Sequence, residues 1–129
     1  MEDTIDAILA RKGPEIWSIA PDATVYDAIA LMAEKGIGAV LVVGDAELIG
    51  IISERDYARK VILQGRSSKD TQVREIMTTS LVTVSPDYTV EACMRIMTQN
   101  RIRHLPVVAR GELVGVVSIG DLVNAVIAD

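Results

Sequence analysis

The sequence predicts an α/β fold (α+β in arrangement) built from two pseudo-symmetric β-α-β-β-α copies. Three observations predict it. The chain repeats itself at a constant offset of 65 residues: Pro21-Asp22-Ala23-Thr24-Val25 returns as Pro86-Asp87-Tyr88-Thr89-Val90. Within each copy a helical apolar spacing is followed by two apolar runs joined by a short turn. The composition is 50% hydrophobic but only 3% aromatic, with no Phe, so the core must be built from Val, Ile, Leu, Ala and Met. That palette suits buried strands with helices packed on them and excludes disorder.

The repeat runs without a gap. It carries Glu47-Leu48-Ile49-Gly50 onto Glu112-Leu113-Val114-Gly115, and Ser53 and Asp56 onto Ser118 and Asp121. Over 21–62 and 86–127, roughly fifteen of about forty aligned pairs are identical. Two copies point to a closed pair rather than an open solenoid, which needs three or more.

The elements follow in order. Thr4 to Arg11, with Ile5, Ile8 and Leu9 on one face, reads as a short helix ahead of copy one. Thr24 is a candidate N-cap, with Asp27 at the third helical position, and Val25, Ala28, Ile29 and Met32 give the apolar stripe. Gly36 supplies the left-handed stop. Copy two repeats the stripe at Val90, Cys93, Met94 and Met97, with Asn100 as the candidate left-handed cap. Strands are expected at Ala39–Val43 and Leu48–Ser53, and at Leu105–Val108 and Leu113–Ser118. A closing helix follows Ser53 as far as about Gln64, and another follows Ser118. Arg66 to Asp70 is the polar connector, and Val73 to Thr78 is a short helix leading into copy two. The expected division is 1–65, repeat one with the N-terminal helix, and 66–129, connector, short helix and repeat two. Together they are expected to form one module.

The bulk numbers exclude several function classes. A net charge of −5 opposes a nucleic-acid or anionic-membrane surface. Local cations remain: Arg101, Arg103 and His104 cluster, as do Arg55, Arg59 and Lys60. Cys93 is the only cysteine, so no internal disulfide can form, and its place on the helix stripe reads as core. No signal segment and no apolar run of about 18 residues is present, so a cytoplasmic location is expected. Phosphate-loop, dinucleotide-fingerprint and nucleophile-elbow spacings are missing, and one His with one Cys suggests no zinc site. The chain is read as a non-enzyme that requires no metal.

Two patterns could carry binding chemistry. Ser-x-x-Asp occurs as Ser53-Glu54-Arg55-Asp56 and Ser118-Ile119-Gly120-Asp121, each opening a helix. This is a helix cap worth about 1 kcal/mol. The same geometry offers free N–H groups to a phosphate and a carboxylate to vicinal hydroxyls. Arg101 and Arg103, two apart in an extended segment, would face one way and suit phosphate oxygens. Copy one has Gly36 and Gly38 there, so two unequal pockets are expected. Trp17 is a core or dimer-face anchor, or one wall of an adenine slot.

The repeated Pro-Asp-x-Thr-Val helix start, the Gly-aliphatic-aliphatic-Ser-x-x-Asp junction and Arg103-His104-Leu105-Pro106-Val107 together resemble a tandem cystathionine-β-synthase (CBS) domain pair, or Bateman module. The resemblance covers essentially the whole chain and is similar to small stand-alone bacterial members. It implies copies packed through their sheets, with clefts shared between them. One site would use Ser53, Arg55 and Asp56 with Leu81, Val82, Arg103 and His104. The other would use Ser118 and Asp121 with Ile16, Trp17, Ile37, Gly38 and Ala39. In each, the Asp would hold a ribose. The implied ligands are AMP, ADP, ATP or NAD(H), with S-adenosylmethionine less favoured. The implied assembly is a homodimer, a flat disc of four repeats. Family members are commonly appended to an enzyme, channel or transporter. This module is therefore expected to report energy or redox state to a regulated protein in trans, the alternative being a target domain that this sequence does not include. The alternative is a structural or interaction protein that dimerises with vestigial clefts.

Overall fold

The computed structural model describes residues 3–128. Its elements are α1 (Ile5–Lys12), β1 (Ser18–Ile19), α2 (Val25–Lys35), β2 (Ala39–Gly44), β3 (Glu47–Ser53), α3 (Glu54–Tyr57), α4 (Val73–Ile76), α5 (Val90–Asn100), β4 (His104–Ala109), β5 (Glu112–Ser118) and α6 (Ile119–Ala128). The fold is therefore mixed α/β, with the helix–hairpin–helix order present in both copies. The helix after Ser53 does not stay regular: α3 passes into a π-helical turn, Ala58–Ile62, before the left-handed Gly65. Its copy-two counterpart, α6, is an uninterrupted α-helix.

Contacts divide the chain into two units, 17–81 and 1–16 with 82–129. This departs from the division at 65/66, and the reason is packing. The helix preceding each copy docks on the other copy's hairpin. In the first unit, Val73 and Ile76 of α4 join Val25, Ala28, Met32, Val40, Val42, Ile52 and Val61 in one core. In the second, Ile5 and Ile8 of α1 join Val90, Cys93, Met97, Leu105, Val107, Val117 and Leu122. The backbone repeats the exchange, since Gln72 bridges to Thr24 and Thr4 to Thr89. Gly50 and Gly115, one offset apart, mark where these helices approach. A Cβ on Gly50 would lie 2.8 Å from Met77 Sδ and 3.0 Å from the Thr78 carbonyl oxygen, and one on Gly115 would lie 2.6 Å from Leu9 Cδ2. Cys93 is fully buried, and burial pushes its thiol pKa up to about 11, as befits a core residue.

Both hairpins have the same register. Val42 faces Gly50 and Val43 faces Leu48, so Ile49 bulges; Val107 faces Gly115 and Val108 faces Leu113, so Val114 bulges. Each turn is two residues in the left-handed region, Asp45-Ala46 and Arg110-Gly111, the conformation that matches strand twist. The first strand differs between copies. β1 pairs in parallel with β2, and the Leu41 N–H donates to the Trp17 carbonyl at 3.3 Å. The residue equivalent to Leu41 is Pro106, which has no N–H to give. Copy two therefore keeps only an isolated bridge, Val84 to Val107, instead of the expected strand.

The caps hold with one exception. The Thr24 and Thr89 hydroxyls accept from the Asp27 and Ala92 N–H groups, and Gly36 is left-handed. At the end of α5 it is Arg101, not Asn100, that takes the left-handed conformation, with φ 55°. Arg101 thus lies outside any extended segment, and the argument that it faces the same way as Arg103 does not hold.

Candidate functional site

Each Ser-x-x-Asp stands where the last strand of a hairpin turns into a helix. In the first unit the capping is reciprocal. The Ser53 N–H donates to Asp56 Oδ2 at 2.9 Å, and the Asp56 N–H donates to Ser53 Oγ at 3.1 Å. Copy two repeats this, with Ser118 N–H to Asp121 Oδ2 at 2.8 Å and Asp121 N–H to Ser118 Oγ at 3.1 Å. The helix-cap reading of the motif is therefore correct in both copies. Whether the motif does more depends on what remains of each carboxylate.

Asp56 is buried and fully engaged. Its Oδ2 also accepts from Ser53 Oγ at 3.1 Å, while Oδ1 takes the Lys60 ammonium at 2.9 Å and the Thr78 hydroxyl at 3.3 Å. Lys60 is anchored in turn by donating to the Ile76 carbonyl at the end of α4, 2.8 Å away.

Asp121 is half-buried, its side chain 24% exposed against 12% for Asp56. Lys12, at the end of α1, donates to Asp121 Oδ2 at 2.8 Å and to the Val116 carbonyl at 2.8 Å. The bonds from Lys12 and from the Ser118 N–H both fall on Oδ2. Partial burial pushes the Asp121 pKa up, but the hydrogen bonds from Lys12 and Ser118 and the Lys12 charge outweigh it, so the net direction is down. His104 is paired with Ser118 across the hairpin, and the Arg103 carbonyl accepts the Ile119 N–H at 2.8 Å. Burial lowers the His104 pKa, with repulsion from Lys12 and Arg103 adding and attraction to Asp121 opposing. Lys12 thus pairs with Asp121 beside a His104 that burial and the charges of Lys12 and Arg103 hold toward its neutral form, and positive charge next to a carboxylate suits an anionic ligand that carries hydroxyls.

The remaining expected residues are placed as follows. Gly38 and Ala39 lie beside Ser53 within the first unit: the Gly38 carbonyl accepts the Glu54 N–H at 3.0 Å, and Ala39 pairs with Ser53. Ile37 and Trp17 pack against that unit's core, and the Lys35 ammonium covers one face of the Trp17 ring, 4.2 Å from its centroid. Arg55 is exposed in the first turn of α3, and Leu81 and Ile16 are half-buried. Val82 packs on the second unit's core. Within the units, then, Arg103 and His104 neighbour Ser118 and Asp121, and Gly38 and Ala39 neighbour Ser53.

Sequence reasoning missed Lys12 and Thr78, which lie outside the aligned repeats and so carry no spacing signal. Lys60 was visible only as part of a basic run, although its position four residues after Asp56 is itself a pairing signal. Among the described residues no cluster of three or more His, Cys, Asp or Glu could hold a metal, and no helix is long and apolar enough to cross a membrane.

Comparison with known proteins matches this architecture to one family. The CBS domain model matches twice, over residues 9–63 and 73–128. The chain belongs to the CBS-domain family, as a tandem pair. It is 47% identical to the mitochondrial CBS domain-containing protein CBSX3 of Arabidopsis thaliana over 96% of its own length, and spans 65% of that relative. A solved protein with CBS domains from Burkholderia ambifaria is 53% identical with a TM-score of 0.95, covering 98% of this chain and 96% of that one. A CBS domain pair crystallised with 5′-methylthioadenosine and S-adenosyl-L-methionine shares the fold at a TM-score of 0.87 and 22% identity, covering 99% of this chain and 98% of that one.

Proposed function

We propose that this chain is a regulatory module that binds an adenosine ligand and is not itself an enzyme. The observation that carries the proposal is the Ser-x-x-Asp helix start repeated at both sheet-to-helix junctions, with the half-buried Asp121 carboxylate bound by Lys12 beside Arg103 and His104. A ribose diol can donate to a carboxylate, and the charges of Lys12 and Arg103 suit phosphate. Membership of a family in which one pair was crystallised with adenosine compounds supports the ligand class. The positive charge of Lys12 and Arg103 favours AMP, ADP, ATP or NAD(H) over S-adenosylmethionine, whose adenosine end carries no phosphate.

Function as a sensor would follow from linkage. A ligand that prefers one arrangement of the protein shifts the population toward it, and a partner in trans responds to that arrangement. A homodimer is the proposed working unit, in a reducing aqueous compartment.

A second reading is an interaction protein with unused clefts. Exposed apolar residues favour it, chiefly Leu63 at 74% exposure and Ile127 at 76%. Thermal unfolding with AMP, ADP, ATP, NAD, NADH and S-adenosylmethionine separates the two. At about 1 mM, a ligand with Kd near 10 μM stabilises by about 2.7 kcal/mol, a shift of several degrees. Such a shift with one of the phosphorylated ligands, lost in Asp121→Asn, supports the sensor. No shift with any of the six supports the interaction protein.

A further inference from the structure

The helices that close the two copies align residue for residue and yet differ in register. At the 65-residue offset, Asp56 to Ile62 falls on Asp121 to Ile127. α6 is α-helical throughout and turns Leu122 and Ala125 into its core. In copy one Tyr57, the counterpart of Leu122, also packs on the core. The next inward residue is not Lys60, the counterpart of Ala125, but Val61, which is 1% exposed. The counterpart of Val61 is Val126, which is 54% exposed.

The π-helical turn produces this shift. The Leu63 N–H donates to the Ala58 carbonyl at 3.0 Å, so the turn holds one residue more than an α-helical turn does. Lys60 is the residue it takes out of the inward face. Its ammonium spans Asp56 Oδ1 at 2.9 Å and the Ile76 carbonyl at 2.8 Å. An unbroken α-helix would keep Tyr57 inward and bring residue 60 in after it, as Ala125 follows Leu122. A methyl group suits that place. An ammonium there would enter the apolar core that Val61 shares with Val25, Ile52 and Ile76, where an unpaired charge is costly.

We infer that Lys60 locks this helix in its π register, and that the register decides which apolar side chains the helix shows to solvent. With the lock in place, Val61 lies inward and Ile62 and Leu63 lie outward. Without it, residue 60 turns inward and Val61 joins the outward face, as Val126 does in α6. The two aligned helices therefore present different surfaces: Ile62 and Leu63 on one, Val123, Val126 and Ile127 on the other. The segment has two packings, and the side chain at position 60 selects between them.

Thiol labelling of the full chain tests this, because Cys93 is fully buried with a raised pKa and reacts poorly. The substitutions Val61→Cys and Ile52→Cys, both at buried positions, are each placed in the native, Lys60→Ala and Lys60→Arg backgrounds. Dividing the labelling rate at 61 by that at 52 removes any general loosening caused by loss of the Asp56 counter-ion. That ratio should rise about a hundredfold or more in Lys60→Ala and stay within about threefold of native in Lys60→Arg. An unchanged ratio in Lys60→Ala overturns the inference, as does an equal rise in Lys60→Arg, which keeps a cation at the position. Should Lys60→Ala not fold, the converse exchange decides. Ala125→Lys should impose a π-helical turn on α6 and draw residue 126 inward. The labelling rate of Val126→Cys relative to Ile127→Cys should then fall about tenfold or more. A ratio unchanged by Ala125→Lys overturns the inference.

Discussion

The docking of each pre-repeat helix on the opposite hairpin can be tested by adding one methyl group at each crossing point. Neither Gly50 nor Gly115 has a positive φ, so alanine can adopt the backbone conformation and the effect is steric. At Gly50 the new Cβ meets Met77 Sδ at 2.8 Å and the Thr78 carbonyl oxygen at 3.0 Å. The sulfur belongs to a flexible side chain, but the carbonyl is fixed by the two hydrogen bonds between Ile51 and Thr78. Relief requires the strand and the segment after α4 to separate. Overpacking of this kind costs about 1–3 kcal/mol, and a fixed backbone contact places Gly50→Ala in the upper part, about 2–3 kcal/mol. At Gly115 the nearest atoms are all in the Leu9 side chain, at 2.6, 3.2 and 3.5 Å. A rotamer change relieves most of that clash at about 1 kcal/mol. Loss of glycine freedom in the unfolded chain offsets either value by about 0.4–1 kcal/mol. With an unfolding entropy of about 2.1 cal/mol/K per residue, Gly50→Ala should lower the midpoint by roughly 4–10 °C and Gly115→Ala by about 0–2 °C. Differential scanning calorimetry of both variants reads this directly. A Gly50→Ala midpoint within about 2 °C of wild type, or the reverse order of the two variants, would refute the close approach on which the exchange of helices rests.

Two further predictions concern local chemistry. Ala46 holds φ 62° where its counterpart Gly111 holds 77°; Ala46→Gly should relieve about 1–2 kcal/mol of left-handed strain and, after the entropy of the added glycine, raise stability by about 0.5–1 kcal/mol in urea melts. An unchanged or lower urea midpoint would contradict that turn conformation. His104 has a folded-state pKa below its ordinary 6.5, so the unfolded chain binds the extra proton first as the solution is acidified. Its contribution to stability is complete above that ordinary value and falls with pH until the lowered folded pKa is passed. His104→Gln should therefore lose less midpoint between pH 7.5 and 5.5 than wild type does, and an equal or steeper loss would reject the cause assigned here. Asp121 acts at lower pH: its lowered pKa gives stability above the unfolded carboxylate range, lost on further acidification in both proteins.

Much of the fold was legible because its determinants are local. The 65-residue repeat fixed both hairpins, and Thr24, Thr89, Gly36, Ser53 and Ser118 acted as caps where short-range hydrogen bonding said they would. What failed to show depended on partners distant in sequence. The missing strand of copy two follows from Pro106, legible only once its counterpart Leu41 is seen to donate to Trp17. The grouping of α1 with copy two follows from which apolar faces meet, and Ile5 and Ile8 carry no label saying against what they pack. Arg101 took the left-handed cap over Asn100, whose amide instead donates to the Ile96 carbonyl at 2.8 Å. At the site, the repeated Ser-x-x-Asp identified the right carboxylates but could not reveal their counter-ions.

Those counter-ions arise at unrelated positions, and this is informative. A carboxylate at a sheet-to-helix junction is partly withdrawn from water, so it costs stability unless a cation or several donors accompany it. Lys60 meets that need from four residues along the same chain segment; Lys12 meets it from across 109 residues. Neither lysine has a lysine at the equivalent place in the other copy, since Ala125 aligns with Lys60 and the α4 segment ends before any counterpart of Lys12. Charge compensation has therefore been preserved in both copies while the means have diverged. Compensation alone constrains only that some ammonium reach the carboxylate. Which oxygen it reaches, and whether a hydroxyl such as that of Thr78 joins it, is free to vary without loss of the cap. That freedom lets one motif sit in two different side-chain surroundings, with Lys60 and Thr78 at Asp56 and Lys12 at Asp121.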